Sequence, residues 1–146
     1  IFSVIFLWLS GLADMLDGSL ARFQKKASPL GAVLDITFDR IVEFLIIFTL
    51  CLQDPSSRAL TSLFMLGSVF ICVTTFLIVS LFIPNTGEKS FQYSPGIIER
   101  AEAFLFFTLM ILLPQYFTAL SIIFSLLVFL TAFIRIKEFS KAQKLL

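Results

Sequence analysis

Apolar residues run along the chain in five long stretches with short polar connections between them: Ile1 to about Leu16, Leu30 to Leu52, Leu60 to Ile83, Ile97 to Leu113 and Tyr116 to Ile134. A bilayer core of about 30 Å takes roughly 20 apolar residues in a helix, so each stretch predicts a transmembrane helix. Three connections carry an oxygen-bearing residue followed by proline: Ser28-Pro29, Asp54-Pro55 and Ser94-Pro95. Each pair predicts a helix start, because the side-chain oxygen accepts from a free backbone N–H and proline at the first helical position gives up no hydrogen bond. Pro114 predicts a tight turn between the last two helices. No basic region or small-residue cleavage site precedes the first stretch, so it does not read as a cleavable signal peptide. Because it opens on Ile1 rather than Met, the first helix is expected to be cut short and the chain to lack upstream residues.

Composition sharpens this into an all-α, polytopic membrane bundle. Of 146 residues 58% are hydrophobic and 14% charged, against roughly 25% charged in a soluble domain. The length suits a single domain over 1–146, with the bilayer and not nucleic acid as its surroundings. Alternating spans put Arg22, Lys25, Lys26, Lys89, Arg100, Arg135, Lys137, Lys141 and Lys144 on one side and only Arg58 on the other. Basic residues are enriched in cytoplasmic loops, so the first, third and C-terminal connections are expected in the cytoplasm. Histidine is absent, which removes Ser-His-Asp triads and imidazole zinc sites. Cys51 and Cys72 are not spaced as a CxxC pair and read as packing residues. Trp8, Tyr93 and Tyr116 read as interfacial anchors or packing.

The charges inside the apolar stretches carry the chemistry. Asp14 and Asp17 are expected to close the first helix, and Asp35 and Asp39 sit within the second. An aspartate at the centre of a spanning helix costs about 2.5–3.5 kcal/mol, so these need partners. Residues three or four apart share a helix face, which pairs Asp14 with Asp17 and Asp35 with Asp39, with Gly31 and Glu43 one turn to either side. At 1.5 Å per residue Asp35 and Asp39 lie roughly 9 and 15 Å beyond Pro29, just under the cytoplasmic head groups. Four carboxylates with no softer ligand suit hard cations such as Mg²⁺ or Mn²⁺, and two divalent ions would balance their charge. Three readings stay open on the carboxylates alone: metal-assisted phosphoryl chemistry, an ion or proton pathway, and structural pairing with Arg22 and Arg40.

In full, the spacing is Asp14-x-x-Asp17-Gly18-x-x-Ala21-Arg22, eight residues, Gly31, three residues, Asp35, three residues, Asp39. This resembles the signature of the CDP-alcohol phosphatidyltransferase family at every specified position. The motif covers Asp14 to Asp39, and the span pattern agrees over the rest of the chain, with five helices where the family has six. The resemblance implies an enzyme of phospholipid synthesis that moves a phosphatidyl-type group from a CDP-linked lipid to a small alcohol and releases CMP. It implies a homodimer, two divalent ions and direct attack by the acceptor. By that likeness Asp14, Asp17 and Asp35 ligate the metals, and Asp39 both binds metal and serves as the base. Gly18, Ala21 and Gly31 let nucleotide and pyrophosphate approach the backbone, with close helix packing as their other reading, and Arg22 meets a phosphate oxygen.

The polar stretch Pro84 to Ser94 leads to an arginine-bearing helix start, Glu99-Arg100-Ala101-Glu102, on the same side as the aspartates. Arg100, Arg135 and Lys89 are candidates for a phosphate of acceptor or donor. Arg100 has a structural alternative, pairing with Glu43 or Glu102. Convergence of two of these cations beside Asp39 would point to an acceptor that carries its own phosphate. The competing functions are a carrier that uses the intramembrane aspartates for transport and an inactive scaffold that binds CDP-lipid. The motif leaves open whether the acceptor is glycerol phosphate, inositol, inositol phosphate, serine or another alcohol.

Overall fold

The computed structural model describes residues 2–23, 28–82 and 96–143, with the side chains at 14, 15, 17–23 and 143 outside the description. Apart from short connections the described residues are helical: α1 (Phe2–Phe23), α2 (Pro29–Leu52), α3 (Pro55–Phe82), α4 (Arg100–Leu112) and α5 (Phe117–Gln143), with one 3₁₀ turn at Pro114–Tyr116. Among the described residues, two segments are long and apolar enough to cross a membrane, Pro55–Phe82 and Pro114–Ala142. Their outward residues include Leu60, Phe70 and Leu81 of α3 and Phe133 of α5, all largely exposed as a lipid-facing surface requires.

Two of the three proline signals begin helices as expected. Ser28 Oγ accepts from the Gly31 amide at 3.0 Å, and Pro29 opens α2. Asp54 carries α3 on its carbonyl, which accepts from the Arg58 amide at 3.0 Å, and Pro55 is the first helical residue. Ser94-Pro95 lies outside the described residues. The fourth stretch becomes helical only at Arg100, later than its apolar run suggests. Competing hydrogen bonds delay it: the Ile97 and Ile98 amides both donate to Thr131 Oγ1 of α5 at 3.1 Å, and the Glu99 amide donates to Glu102 Oε2 at 3.0 Å. Helix α1 instead runs past its apolar stretch to Phe23, so Asp14 and Asp17 lie within the helix and do not close it. Helix α5 likewise continues through Lys137 and Lys141, good helix formers that stay exposed.

Helices α3 and α5 form the most extensive pair. Their buried positions include Ser62 and Ser68 on α3 and Ser121, Ser125 and Ala132 on α5. Small side chains let helix backbones approach closely where the surrounding lipid offers no hydrophobic drive to associate. Helix α4 fills the middle of the bundle through Ala103, Phe104, Phe107 and Met110, and Phe107 packs against Phe124 at 5.6 Å between ring centres. Helix α1 packs on α4 and on no other described helix. Its Trp8 Nε1 donates to Thr108 Oγ1 at 3.1 Å, and a Cβ on Gly11 would come within 2.7 Å of the Phe104 ring.

The end of the bundle opposite the aspartates is closed by Arg58. Its guanidinium donates to the Leu50 carbonyl at 3.0 Å, to Gln53 Oε1 at 3.0 Å and to the Pro114 carbonyl at 3.3 Å, and it lies 4.6 Å from the centre of the Phe117 ring. Among the described residues the cation on that side is thus buried against the Leu50 carbonyl in the last turn of α2 and the Pro114 carbonyl of the turn before α5.

Candidate functional site

Helical periodicity sets Asp35, Asp39 and Glu43 at four-residue intervals along α2, with depth increasing down the row. Asp35 is exposed, Asp39 is partly covered, and Glu43 is buried at 8% exposure. The first residue of α4 meets this row. Arg100 forms an ion pair with Asp39 Oδ1, and its guanidinium lies 5.5 Å from the centre of the Phe104 ring. The Thr131 bonds to Ile97 and Ile98 fix the backbone that delivers Arg100, and a Cβ on Gly96 would stand 2.3 Å from Thr131 Cγ2. Glycine is required there for the backbone to come so close to α5.

Arg40 completes the cluster. Its Nη1 lies 2.9 Å from Glu43 Oε2 and its Nη2 3.8 Å from Asp39 Oδ2. Charges therefore alternate through Arg100, Asp39, Arg40 and Glu43. Asp35 has no ion-pair partner among the described residues. From α5, Arg135 donates to the Cys72 carbonyl at 2.9 Å, and its guanidinium stands 5.3 Å from the centre of the Phe76 ring. Asp35, Asp39, Arg40, Glu43, Arg100 and Arg135 line one cavity of about 340 Å³ between α2, α3, α4 and α5. Buried Arg40 Nε and Arg135 Nε have no hydrogen-bond partner among the described residues, so donor capacity remains in its wall. A groove of about 400 Å³ on the other side of Arg40 is walled by Ile36, Ile41, Phe44, Val73 and Leu77.

The expected site residues divide into two groups. Asp35, Asp39, Arg100 and Arg135 come together in the cavity. The side chains of Asp14, Asp17, Gly18, Ala21 and Arg22, and all of Lys89, lie outside the described residues. Gly31 is exposed, and a Cβ there would approach only Ser28 Oγ, at 3.2 Å. No described helix packs on it. Arg100 pairs with Asp39 and not with the Glu43 or Glu102 of its structural alternative. Structural pairing does hold for Arg40, whose partners are Asp39 and Glu43. Cys72, read as packing, also borders the cavity. Sequence reasoning assigned Glu43 and Arg40 no role beyond helix stripe and salt bridge. Their signal was the arginine following Asp39 and the glutamate three residues after it, a spacing that closes an ion pair along a helix.

The donor set fits hard cations in part. Asp35 and Asp39 offer oxygen alone, the first with no ion pair among the described residues and the second held through Oδ1 by Arg100, with Oδ2 3.8 Å from Arg40. Among the described residues no three metal-ligating side chains gather, so these two aspartates are half of the four that the motif supplies.

Comparison with known proteins fits this arrangement. A profile of the CDP-alcohol phosphatidyltransferase family matches residues 1–133. The chain is 31% identical over 96 residues to a phosphatidylinositol phosphate synthase of Mycobacteroides abscessus, covering 66% of this chain and 43% of that protein. It is 34% identical over 91 residues to a phosphatidylinositol phosphate synthase of Mycolicibacterium smegmatis, covering 62% of this chain and 40% of that one. The matches thus span less than half the length of either relative. No solved structure is significantly similar. With the motif intact and the family profile covering 133 of its residues, the chain belongs to the CDP-alcohol phosphatidyltransferase family.

Proposed function

We propose that the chain transfers a phosphatidyl-type group from a CDP-alcohol lipid to a small alcohol that carries its own phosphate, releasing CMP. The observation that carries this reading is the convergence of Arg100 and Arg135 on the cavity that holds Asp39. Guanidinium groups present a charged planar fork matched to phosphate oxygens, and two of them stand where the proposed base must meet its acceptor. The phosphatidylinositol phosphate synthase relatives agree with a phosphorylated polyol as that acceptor. We further propose a multi-pass homodimer with the cavity open to the cytoplasm.

In this mechanism Asp39 takes the proton of the acceptor hydroxyl. The acceptor oxygen forms a bond to the lipid-side phosphorus of the donor while the bond from that phosphorus to the CMP oxygen breaks. Arg100 and Arg135 hold the acceptor phosphate so that the hydroxyl faces Asp39. Gly18, Ala21 and Gly31 leave room for the nucleotide, and Arg22 meets a pyrophosphate oxygen. Two divalent ions held by Asp14, Asp17, Asp35 and Asp39 would offset charge on the pyrophosphate. The apolar groove beyond Arg40 suits an acyl chain of the donor.

The test supplies the protein with CDP-diacylglycerol and Mg²⁺ or Mn²⁺ and scores CMP release with glycerol phosphate, inositol, inositol phosphate and serine. Release is expected with a phosphorylated acceptor and at least tenfold less with inositol or serine. Asp39→Asn should abolish it. Arg135→Ala should raise the KM for the acceptor and leave the KM for the donor in place. Equal release with inositol and inositol phosphate would remove the phosphate from the reading, and metal-independent release would remove the ions.

A further inference from the structure

Glu43 has no part in the reaction as derived above, yet it is a buried carboxylate one helical turn deeper in α2 than Asp39. A charge at that depth is costly unless paired. Its partner is Arg40, and the partition of Arg40 between its two neighbours is uneven: 2.9 Å to Glu43 and 3.8 Å to Asp39. Coulomb attraction falls with distance, so the nearer carboxylate holds the guanidinium. Asp39 already bears Arg100. Were Arg40 to close on it as well, one carboxylate would carry two guanidinium groups, and a divalent cation or an acceptor hydroxyl would meet both repulsion and occupied lone pairs.

We propose that Glu43 is a positioning residue that draws Arg40 away from Asp39, so that the Asp39 carboxylate stays open to a divalent ion and to the acceptor. The inference rests on the metal-assisted reading given above. It separates Glu43 from a residue that only neutralises a buried arginine. In that simpler role, replacing Glu43 lowers stability without touching cation affinity, and removing Arg40 as well restores nothing at Asp39.

The experiment measures Mn²⁺ binding to the purified protein in detergent, without substrate, by the electron paramagnetic resonance signal of the free ion. Thermal midpoints are recorded alongside. Glu43→Gln is expected to weaken Mn²⁺ about tenfold, and Glu43→Gln with Arg40→Gln to return the affinity to within about threefold of the unsubstituted protein, a coupling that the paired substitutions isolate. Unchanged affinity in Glu43→Gln overturns the proposal, as does a double variant no better than the single one. If Glu43→Gln does not fold, the charge-balanced double variant decides. Affinity within threefold supports the proposal, and lost binding overturns it. Absence of Mn²⁺ binding by the unsubstituted protein overturns the metal-assisted reading itself, and the inference with it.

Discussion

Thr131 shows how much one side chain contributes to this site. Its hydroxyl accepts from two consecutive amides at 3.1 Å and donates to the Leu127 carbonyl at 3.0 Å, so it belongs to α5 while fixing the approach to α4. Thr131→Val keeps the shape and removes the acceptor. These amides are part-buried, so losing their acceptor should cost less than the about 1–3 kcal/mol of a fully buried unsatisfied group, and hydrogen exchange at Ile97 and Ile98 should accelerate while α3 is unaffected. Arg100 should lose its fixed place, lowering turnover with a phosphorylated acceptor. Threonine at 131 was invisible as a functional residue in the sequence, because it lies in an apolar run and acts through a segment more than thirty residues away. Asp39 was legible for the opposite reason: a carboxylate amid Phe38, Ile41 and Val42 has no place in a lipid-facing helix without a task.

At the scale of helices, start signals written in adjacent residues were readable and those depending on distant partners were not. Ser28-Pro29 and Asp54-Pro55 act locally, and both helices begin there. The start of α4 is decided by Thr131, and the apolar run from Ile97 misplaced it by three residues. The Asp54 cap yields a pH prediction. Hydrogen bonds from Ser57 and Ser56 hold the Asp54 carboxyl below its ordinary value of 3.8, Ser57 Oγ standing 2.5 Å and Ser56 Oγ 2.8 Å from its oxygens. A depressed folded-state value means that the ionised form favours the fold. Its contribution is complete above the unfolded value and disappears as pH falls through the folded one. The thermal midpoint of Asp54→Asn should therefore fall less steeply than that of the unsubstituted protein below about pH 3.8. A parallel decline in the two proteins would show that the cap does not sense protons.

Across the whole molecule, charge separates two ends with different duties. The cavity end gathers arginines around carboxylates, while the far end holds Arg58, which ties the last turn of α2 to the turn before α5. Charge counting along the sequence placed Arg58 alone on its side but did not show that the protein consumes the charge internally. The signal was there: a cation at the start of a helix, three residues after Pro55, near a second proline-broken turn at Pro114. Arg58→Met retains the aliphatic stem and should destabilise the protein by about 1.5–3 kcal/mol through its lost charged hydrogen bonds. Arg58→Lys should recover only part of this, since a single ammonium cannot span both carbonyls and Gln53. Denaturant unfolding in detergent reads both. The seam between α1 and α4 has a consequence in time. Thr108 follows Trp8 by 100 residues, and at synthesis rates of 5–20 residues per second roughly 5–20 s separate the two. Once synthesis has passed Leu52, and until it reaches residue 100, the aspartate-bearing helices are already made while Arg100 and the surface that receives α1 do not yet exist. A ribosome stalled before residue 100 leaves Asp39 and Glu43 with Arg40 as their one described cation. The carboxylates of the site are thus its earliest part to be synthesised, and the cations that organise the cavity around them come late.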